Sequence, residues 1–242
     1  MVNQIRETQK LGQSIWYDNV RRGLLVSGEI EGLIKTGVTG LTSNPTIFEK
    51  AISESGDYDE ALMTLAIEGH TAKEAFEELA ITDIRNVADL LRQVYHDTNG
   101  IDGYASLEVS PALAHNTDAT VAEALRLFAK LDRPNVMVKV PATPEGIPAI
   151  QQLISKGVNI NVTLLFDLEA YRNVRNAYST GLEQLQATGG DLSKVASVAS
   201  FFVSRVDSAI DALLEVKVQT GESGFEHLLG KAAIANATLA YR

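Results

Sequence analysis

Lys139 stands inside an otherwise apolar, strand-like run, Val136-Met137-Val138-Lys139-Val140-Pro141. An ammonium ion in a buried strand is costly unless it is paired or neutral. A lysine that sheds its proton on burial becomes a nucleophilic amine able to condense with a carbonyl as a Schiff base. The other nine lysines, at 10, 35, 50, 73, 130, 156, 194, 217 and 231, lie in polar or helical settings that suggest solvent. Alone, Lys139 is equally compatible with a structural or surface-strand role. Its company favours chemistry: polar residues recur at the C-terminal ends of the apolar runs, namely Asp18, Asn44, Glu108, Lys139, Asn161 with Thr163, and Ser200 with Arg205 just beyond.

Each of these residues has an ordinary alternative. Asp18 and Asn44 are common turn residues, Glu108 could be an edge carboxylate, and Arg205 could pair at a helix end. Asn161-Val162-Thr163 also reads as a glycosylation sequon, which carries little weight without a secretory signal. As a set they suit carbonyl chemistry. A neutral Lys139 attacks a ketone, and the iminium formed is an electron sink for breaking or making the adjacent C–C bond. Asp18 and Glu108 supply acid–base groups. Asn44, Asn161 and Ser200 hydrogen-bond hydroxyls, as a polyol requires, and Arg205 offers a planar fork for phosphate. A carboxylate close to Lys139 would favour its charged form. Glu108 acting through a bridging water would soften that conflict.

The elements that must position these residues alternate along the chain. Strand-like runs fall at Ser14–Asn19, Gly40–Thr42, Gly103–Val109, Val136–Val140, Asn159–Leu165 and Val195–Phe202. Several are continuously apolar, as in a parallel sheet covered on both faces. Helical patterns lie at Glu29–Lys35, Asp57–Glu68, Ala72–Thr98, Ala119–Leu131, Ile147–Lys156, Leu168–Thr188, Arg205–Gln219 and Phe225–Arg242. Thr120 with Glu123 could form a capping box. Gly157 follows a helix end, and Pro148 falls in a first turn, where it is tolerated. The alternation predicts a parallel α/β fold. No GxGxxG or Walker sequence follows a strand, so a (β/α)8 barrel is favoured over a nucleotide-binding open sheet. Six strands are countable where a barrel needs eight.

Composition sets the bounds. At 242 residues and 45% hydrophobic, the chain can bury a core of one domain. Its net charge is −10, from 21 basic and 31 acidic residues with no basic block, which argues against nucleic acid. With no cysteine there is no disulfide or thiolate metal site. The four histidines (70, 96, 115 and 227) form no metal-ligand pattern, so no metal or cofactor is expected. No apolar stretch is long enough for a membrane span, and the polar N-terminus is unlike a signal peptide. A soluble, cytoplasmic globular protein is expected, and a phosphorylated small substrate would need a local positive pocket against the repulsive overall field.

These residues, in this order, resemble the transaldolases. Thr39-Gly40-Leu41-Thr42-Ser43-Asn44-Pro45-Thr46-Ile47-Phe48 looks like that family's N-terminal signature, and Val136 through Thr143 with Gly146-Ile147 looks like its Schiff-base signature. The segments Ser14–Asp18, Ser106–Ser110, Asn161–Phe166 and Ser200–Arg205 are similar to further family segments. The match runs from about residue 10 to the end, and is nearest the longer bacterial branch, which includes fusions to a sugar-phosphate isomerase. The resemblance implies a dihydroxyacetone transfer from a ketose phosphate (sedoheptulose 7-phosphate or fructose 6-phosphate) to an aldose phosphate (glyceraldehyde 3-phosphate or erythrose 4-phosphate), within the pentose phosphate pathway.

By position, the resemblance implies Lys139 as the Schiff-base lysine and Asp18 as the acid–base beside the cleaved bond. Glu108 and Thr163 would hold a catalytic water. Asn44, Asn161 and Ser200 would bind the dihydroxyacetone moiety, Arg205 the phosphate, and Phe202 would shield the site. Related fructose-6-phosphate aldolases carry glutamine and tyrosine where Glu108 and Phe202 stand, so an aldolase-type lyase is the alternative. The family barrel continues past the point matching Arg242, so residues 1–242 are expected to form an incomplete barrel domain lacking its last strands. A homo-oligomer, a complementing C-terminal fragment, or an inactive fragment paired with a second polypeptide are the corresponding expectations.

Overall fold

The computed structural model describes residues 2–242. The first half runs α1 (Gln4–Gln9), β1 (Trp16–Tyr17), α2 (Arg22–Val26), α3 (Glu29–Thr36), β2 (Gly40–Thr42), α4 (Pro45–Glu54), α5 (Asp59–Ile67) and α6 (Ala72–Asp97). Then come β3 (Ala105–Glu108), α7 (Thr117–Leu131), β4 (Val136–Pro141), α8 (Gly146–Ile154), β5 (Ile160–Leu165) and α9 (Leu168–Ala187). The chain continues through β6 (Ser197–Phe201), α10 (Ser204–Gln219) and α11 (Ala232–Tyr241). The six strands form one sheet, all parallel, in the order β1-β2-β3-β4-β5-β6. A doubly wound sheet reverses its strand order at a switch point. Sequential order without reversal is the barrel pattern, and six consecutive units of the (β/α)8 type are present. Within the described residues β1 and β6 each pair on one side only.

Alternation along the strands separates two layers. Leu41, Ala105, Leu107, Val136, Val138, Val140, Ile160 and Val162 pack into the main apolar core with helix residues such as Ile84, Leu91, Leu127, Ile150 and Leu153. Their neighbours in sequence, Thr42, Ser106, Glu108, Met137, Lys139, Asn161 and Thr163, stand outside that core cluster, on the opposite face of the sheet. Gly40 is required here: a Cβ would lie 2.3 Å from the Trp16 ring. That ring donates its Nε1 hydrogen to Asp102 at 2.9 Å.

Four strands, β1, β3, β5 and β6, are shorter than their expected runs, β2 has the expected bounds, and β4 extends one residue further to Pro141. β1 has two residues rather than the six of Ser14–Asn19, because its only ladder partner, β2, offers Gly40 and Leu41. Three helices appear that periodicity did not suggest: α1, α2 and α4. The run Asp57–Glu68 begins instead as a 3-10 turn at Gly56–Tyr58, and Phe225–Arg242 is helical only from Ala232, after a 3-10 turn at Glu226–Leu228. The Thr120–Glu123 capping box is not formed. Asn116 caps α7 by accepting from the Ala119 amide at 3.0 Å, which starts the helix two residues early. Thr120 donates instead to the Leu113 carbonyl, and Glu123 accepts from the Ser110 amide. A complete capping box does occur, at Thr71 and Glu74.

One buried network fixes the chain just after β1. Asp83 on α6 is fully buried and accepts from Arg22 Nε and Nη2 at 3.0 and 2.9 Å and from the Tyr58 hydroxyl at 2.8 Å. That hydroxyl in turn accepts from the Arg22 backbone N–H at 2.9 Å. Burial pushes the Asp83 carboxyl up, and Arg22 opposes the shift. The network clamps the first turn of α2, four residues beyond Asp18. Removing one member of a buried ion pair strands the other. Asp83→Ala is therefore expected to destabilise the fold by about 3–5 kcal/mol in urea unfolding; a loss below about 1 kcal/mol would show that Arg22 finds water instead.

Candidate functional site

β4 is buried along its whole length, and Lys139 is 6% exposed within it. The other nine lysines are exposed or half-buried. The amine of Lys139 is held by a residue just after β2 and by one at the end of β3. Its Nζ donates to the Ser43 carbonyl at 3.2 Å and lies 3.5 Å from Glu108 Oε2. Glu108 is the register partner of Lys139 across β3 and β4, so strand pairing alone puts them side by side. The two groups are in direct contact, so a water shared by both would lie beside the pair rather than between them. Burial raises the Glu108 carboxyl above the usual carboxylate range, while the neighbouring Lys139 opposes the rise.

These two residues lie in a cleft of about 470 Å³ at the C-terminal ends of the strands. Asp18, Asn44, Glu108, Lys139, Thr163, Phe202 and Arg205 all line it, so the structure brings together seven of the nine residues expected from sequence. Asp18 arrives from the loop after β1. Asn44 follows β2 and caps α4, its side-chain oxygen accepting from the Ile47 amide at 3.0 Å. That capping bond uses the acceptor and leaves the Asn44 amide group available as a donor. Arg205, in the first turn of α10, lies over the Phe202 ring with Cζ 4.8 Å from its centre. Phe202 also stacks on Phe166 at 4.9 Å.

Asn161 and Ser200 are not on the cleft lining. Asn161 is buried opposite Lys139 in the β4–β5 register. It accepts from the Ser200 hydroxyl at 2.8 Å and donates to the Ser106 hydroxyl at 3.1 Å. The pair belongs to a polar chain, which continues as the Ser43 hydroxyl donates to the Ser106 carbonyl. Ser43, whose carbonyl takes the Lys139 hydrogen bond, and Ser106 were not anticipated from sequence.

Lys50 and Leu164 also line the cleft unanticipated. Lys50 was legible in principle. Asn44-Pro45 is an N-cap followed by proline at the first helical position, and a helix begun there places Ile47 and Lys50 on one face. Leu164 carried no local signal.

A profile of the Transaldolase/Fructose-6-phosphate aldolase family matches residues 15–242. Among curated relatives, a protein named "Transaldolase" from Trichodesmium erythraeum is 46% identical over 248 residues, spanning all of this chain and 65% of its own length. One of the same name from Saccharopolyspora erythraea is 53% identical over 231 residues, covering 95% of this chain and 61% of its own. A third, from Thermobifida fusca, is 49% identical over 242 residues, covering all of this chain and 65% of its own. The chain thus spans less than two thirds of the length of these relatives. With its parallel strands in sequential order and a lysine at the floor of the cleft, this chain belongs to the transaldolase/fructose-6-phosphate aldolase family.

Proposed function

We propose that the site transfers a dihydroxyacetone unit from a ketose phosphate to an aldose phosphate through an imine on Lys139. The observation that carries this is the buried amine itself, at the floor of a polar cleft with two carboxylates around it. Lys139 adds to the ketose carbonyl, and loss of water leaves an iminium. Asp18 takes the proton from the hydroxyl beside the bond to be cleaved, the bond breaks, and an aldose phosphate departs. The remaining enamine attacks the acceptor aldehyde, and water then releases the new ketose from Lys139.

Glu108 and Thr163 are the groups proposed to hold the water that relays protons. Asn44 would hydrogen-bond the three-carbon unit directly, with Asn161 and Ser200 supporting it. Arg205 would take the phosphate and Phe202 would cover the site. The substrates are sedoheptulose 7-phosphate or fructose 6-phosphate with glyceraldehyde 3-phosphate or erythrose 4-phosphate, in the cytoplasm and in the pentose phosphate pathway. Residues 1–242 are read as six units of an eight-unit barrel, which the one-sided pairing of β1 and β6 and the greater length of the relatives support.

The deciding experiment is borohydride reduction with fructose 6-phosphate, then intact-mass measurement and peptide mapping. A covalent three-carbon or six-carbon adduct on Lys139 is expected. An unmodified chain, or an adduct on another lysine, overturns the assignment. Adding erythrose 4-phosphate separates transfer from simple cleavage, since a lyase releases dihydroxyacetone whether or not an acceptor is present.

Glu108 also makes a pH prediction. As the base that activates water it must be deprotonated, so turnover should rise as pH climbs through its elevated value rather than through the ordinary carboxylate range. Glu108→Gln is expected to abolish that limb and lower turnover by about 10²–10⁴. An acid limb unchanged in the variant would assign it to another group.

A further inference from the structure

Leu164 breaks the pattern of its strand. β5 is buried at every other position, yet Leu164 is 40% exposed, and its φ is +59°. A leucine in the left-handed region is uncommon, because its Cβ crowds the backbone. The register explains the position. Val162 pairs with Ala199 and Leu165 with Phe201, so three steps along β5 match two along β6. This is a β-bulge, with Thr163 and Leu164 together facing the single position of Ser200.

The bulge has two effects. Consecutive residues of a regular strand point to opposite faces, but here Thr163 and Leu164 both line the cleft. The phase of the strand is also reset. Ile160, Val162 and then Leu165, rather than residue 164, enter the core behind the sheet. The left-handed turn thus keeps a leucine out of the core and sets it, 40% exposed, on the lining of the cleft, which Phe202 also lines. Strained backbone of this kind persists where the surroundings over-determine it, often at functional sites.

We propose that Leu164 is a specificity-determining residue which, with Phe202, roofs the three-carbon adduct on Lys139 and so favours transfer over release. The inference rests on the imine chemistry proposed above. After cleavage, the enamine has two fates. It can add to an aldehyde, or it can take a proton from solvent on carbon to regenerate the iminium. A water then adds to the iminium carbon, the C–N bond breaks, and free dihydroxyacetone leaves the restored amine. An apolar roof excludes the water and proton that the second route needs.

Two variants separate the side chain from the backbone. Leu164→Ala and Leu164→Gly both remove the roof, but only glycine adopts positive φ freely. With fructose 6-phosphate and erythrose 4-phosphate, both variants are expected to raise the ratio of free dihydroxyacetone to transferred product by about ten-fold. Leu164→Gly is expected to melt about 2–4 °C above Leu164→Ala. An unchanged product ratio in variants that still form the Lys139 adduct overturns the roof while leaving the imine intact. Equal melting temperatures overturn the left-handed constraint. If the unaltered chain forms no adduct, the imine assignment fails and the roof fails with it.

Discussion

Lys139→Ala is expected to lower turnover by at least about 10⁴-fold and to abolish borohydride-trapped adduct completely. The size follows from chemistry that no neighbour can supply. None of the other nine lysines is buried, and the only other one lining the cleft, Lys50, is exposed on α4. Alanine also leaves a cavity and an unpartnered Glu108, so lost activity alone could reflect a damaged fold. Lys139→Met keeps most of the volume without the amine, and should be equally inactive.

The methionine variant has a pH signature that a simple packing defect lacks. Lys139 holds the Glu108 carboxyl down against burial. Without the amine, the folded-state value of Glu108 rises further above its unfolded value. A raised carboxyl contributes stability that is present below the unfolded value and is lost as pH climbs through the folded one. Lys139→Met should therefore lose stability relative to the parent between mildly acidic and neutral pH, measurable as a falling melting temperature. Substantial turnover in either variant would sink the imine assignment. A pH-independent stability difference would mean that Glu108 does not feel the amine.

The second large effect is expected at Asp18. Asp18→Ala should reduce carbon–carbon cleavage by about 10²–10⁴, the range for loss of a positioned acid–base group. Imine formation with the ketose should remain, because among the described residues the Lys139 amine is held by Ser43 and Glu108 and not by Asp18. Trapping should then give the intact six-carbon adduct rather than the three-carbon remnant. An Asp18→Ala chain that forms no adduct would contradict this division of labour. A three-carbon adduct at the parent's rate would show that another base does the work. Asp18 lies on a loop rather than in β1, and the Asp83–Arg22–Tyr58 network clamps the helix that ends this loop. Asp83→Ala is thus expected to loosen Asp18 as well as the fold.

The sequence by itself determined much of this arrangement. Short apolar runs alternating with helical patterns located all six strands and singled out Lys139 as the charged residue inside one of them. The recurrence of polar residues at strand ends identified six side chains that share the cleft, and the family resemblance added Phe202. These features are local: a strand's faces are set by its own alternation, and sequential parallel strands bring their C-terminal ends to one side of the sheet. Helix α4 was legible too, in Asn44-Pro45. Other features depended on contacts between distant segments, which local preference does not encode. Asp83 finds Arg22 61 residues away. Asn161 and Ser200 hydrogen-bond each other instead of lining the cleft, because Ser200 lies two positions beyond Val198, the register partner of Asn161, and so falls on the same face of the sheet. The bulge that turns Leu164 into the site arises from the mismatch between two strands, and neither strand's sequence contains it. Tertiary structure decided these positions because a residue's face in a sheet depends on what its partner strand allows.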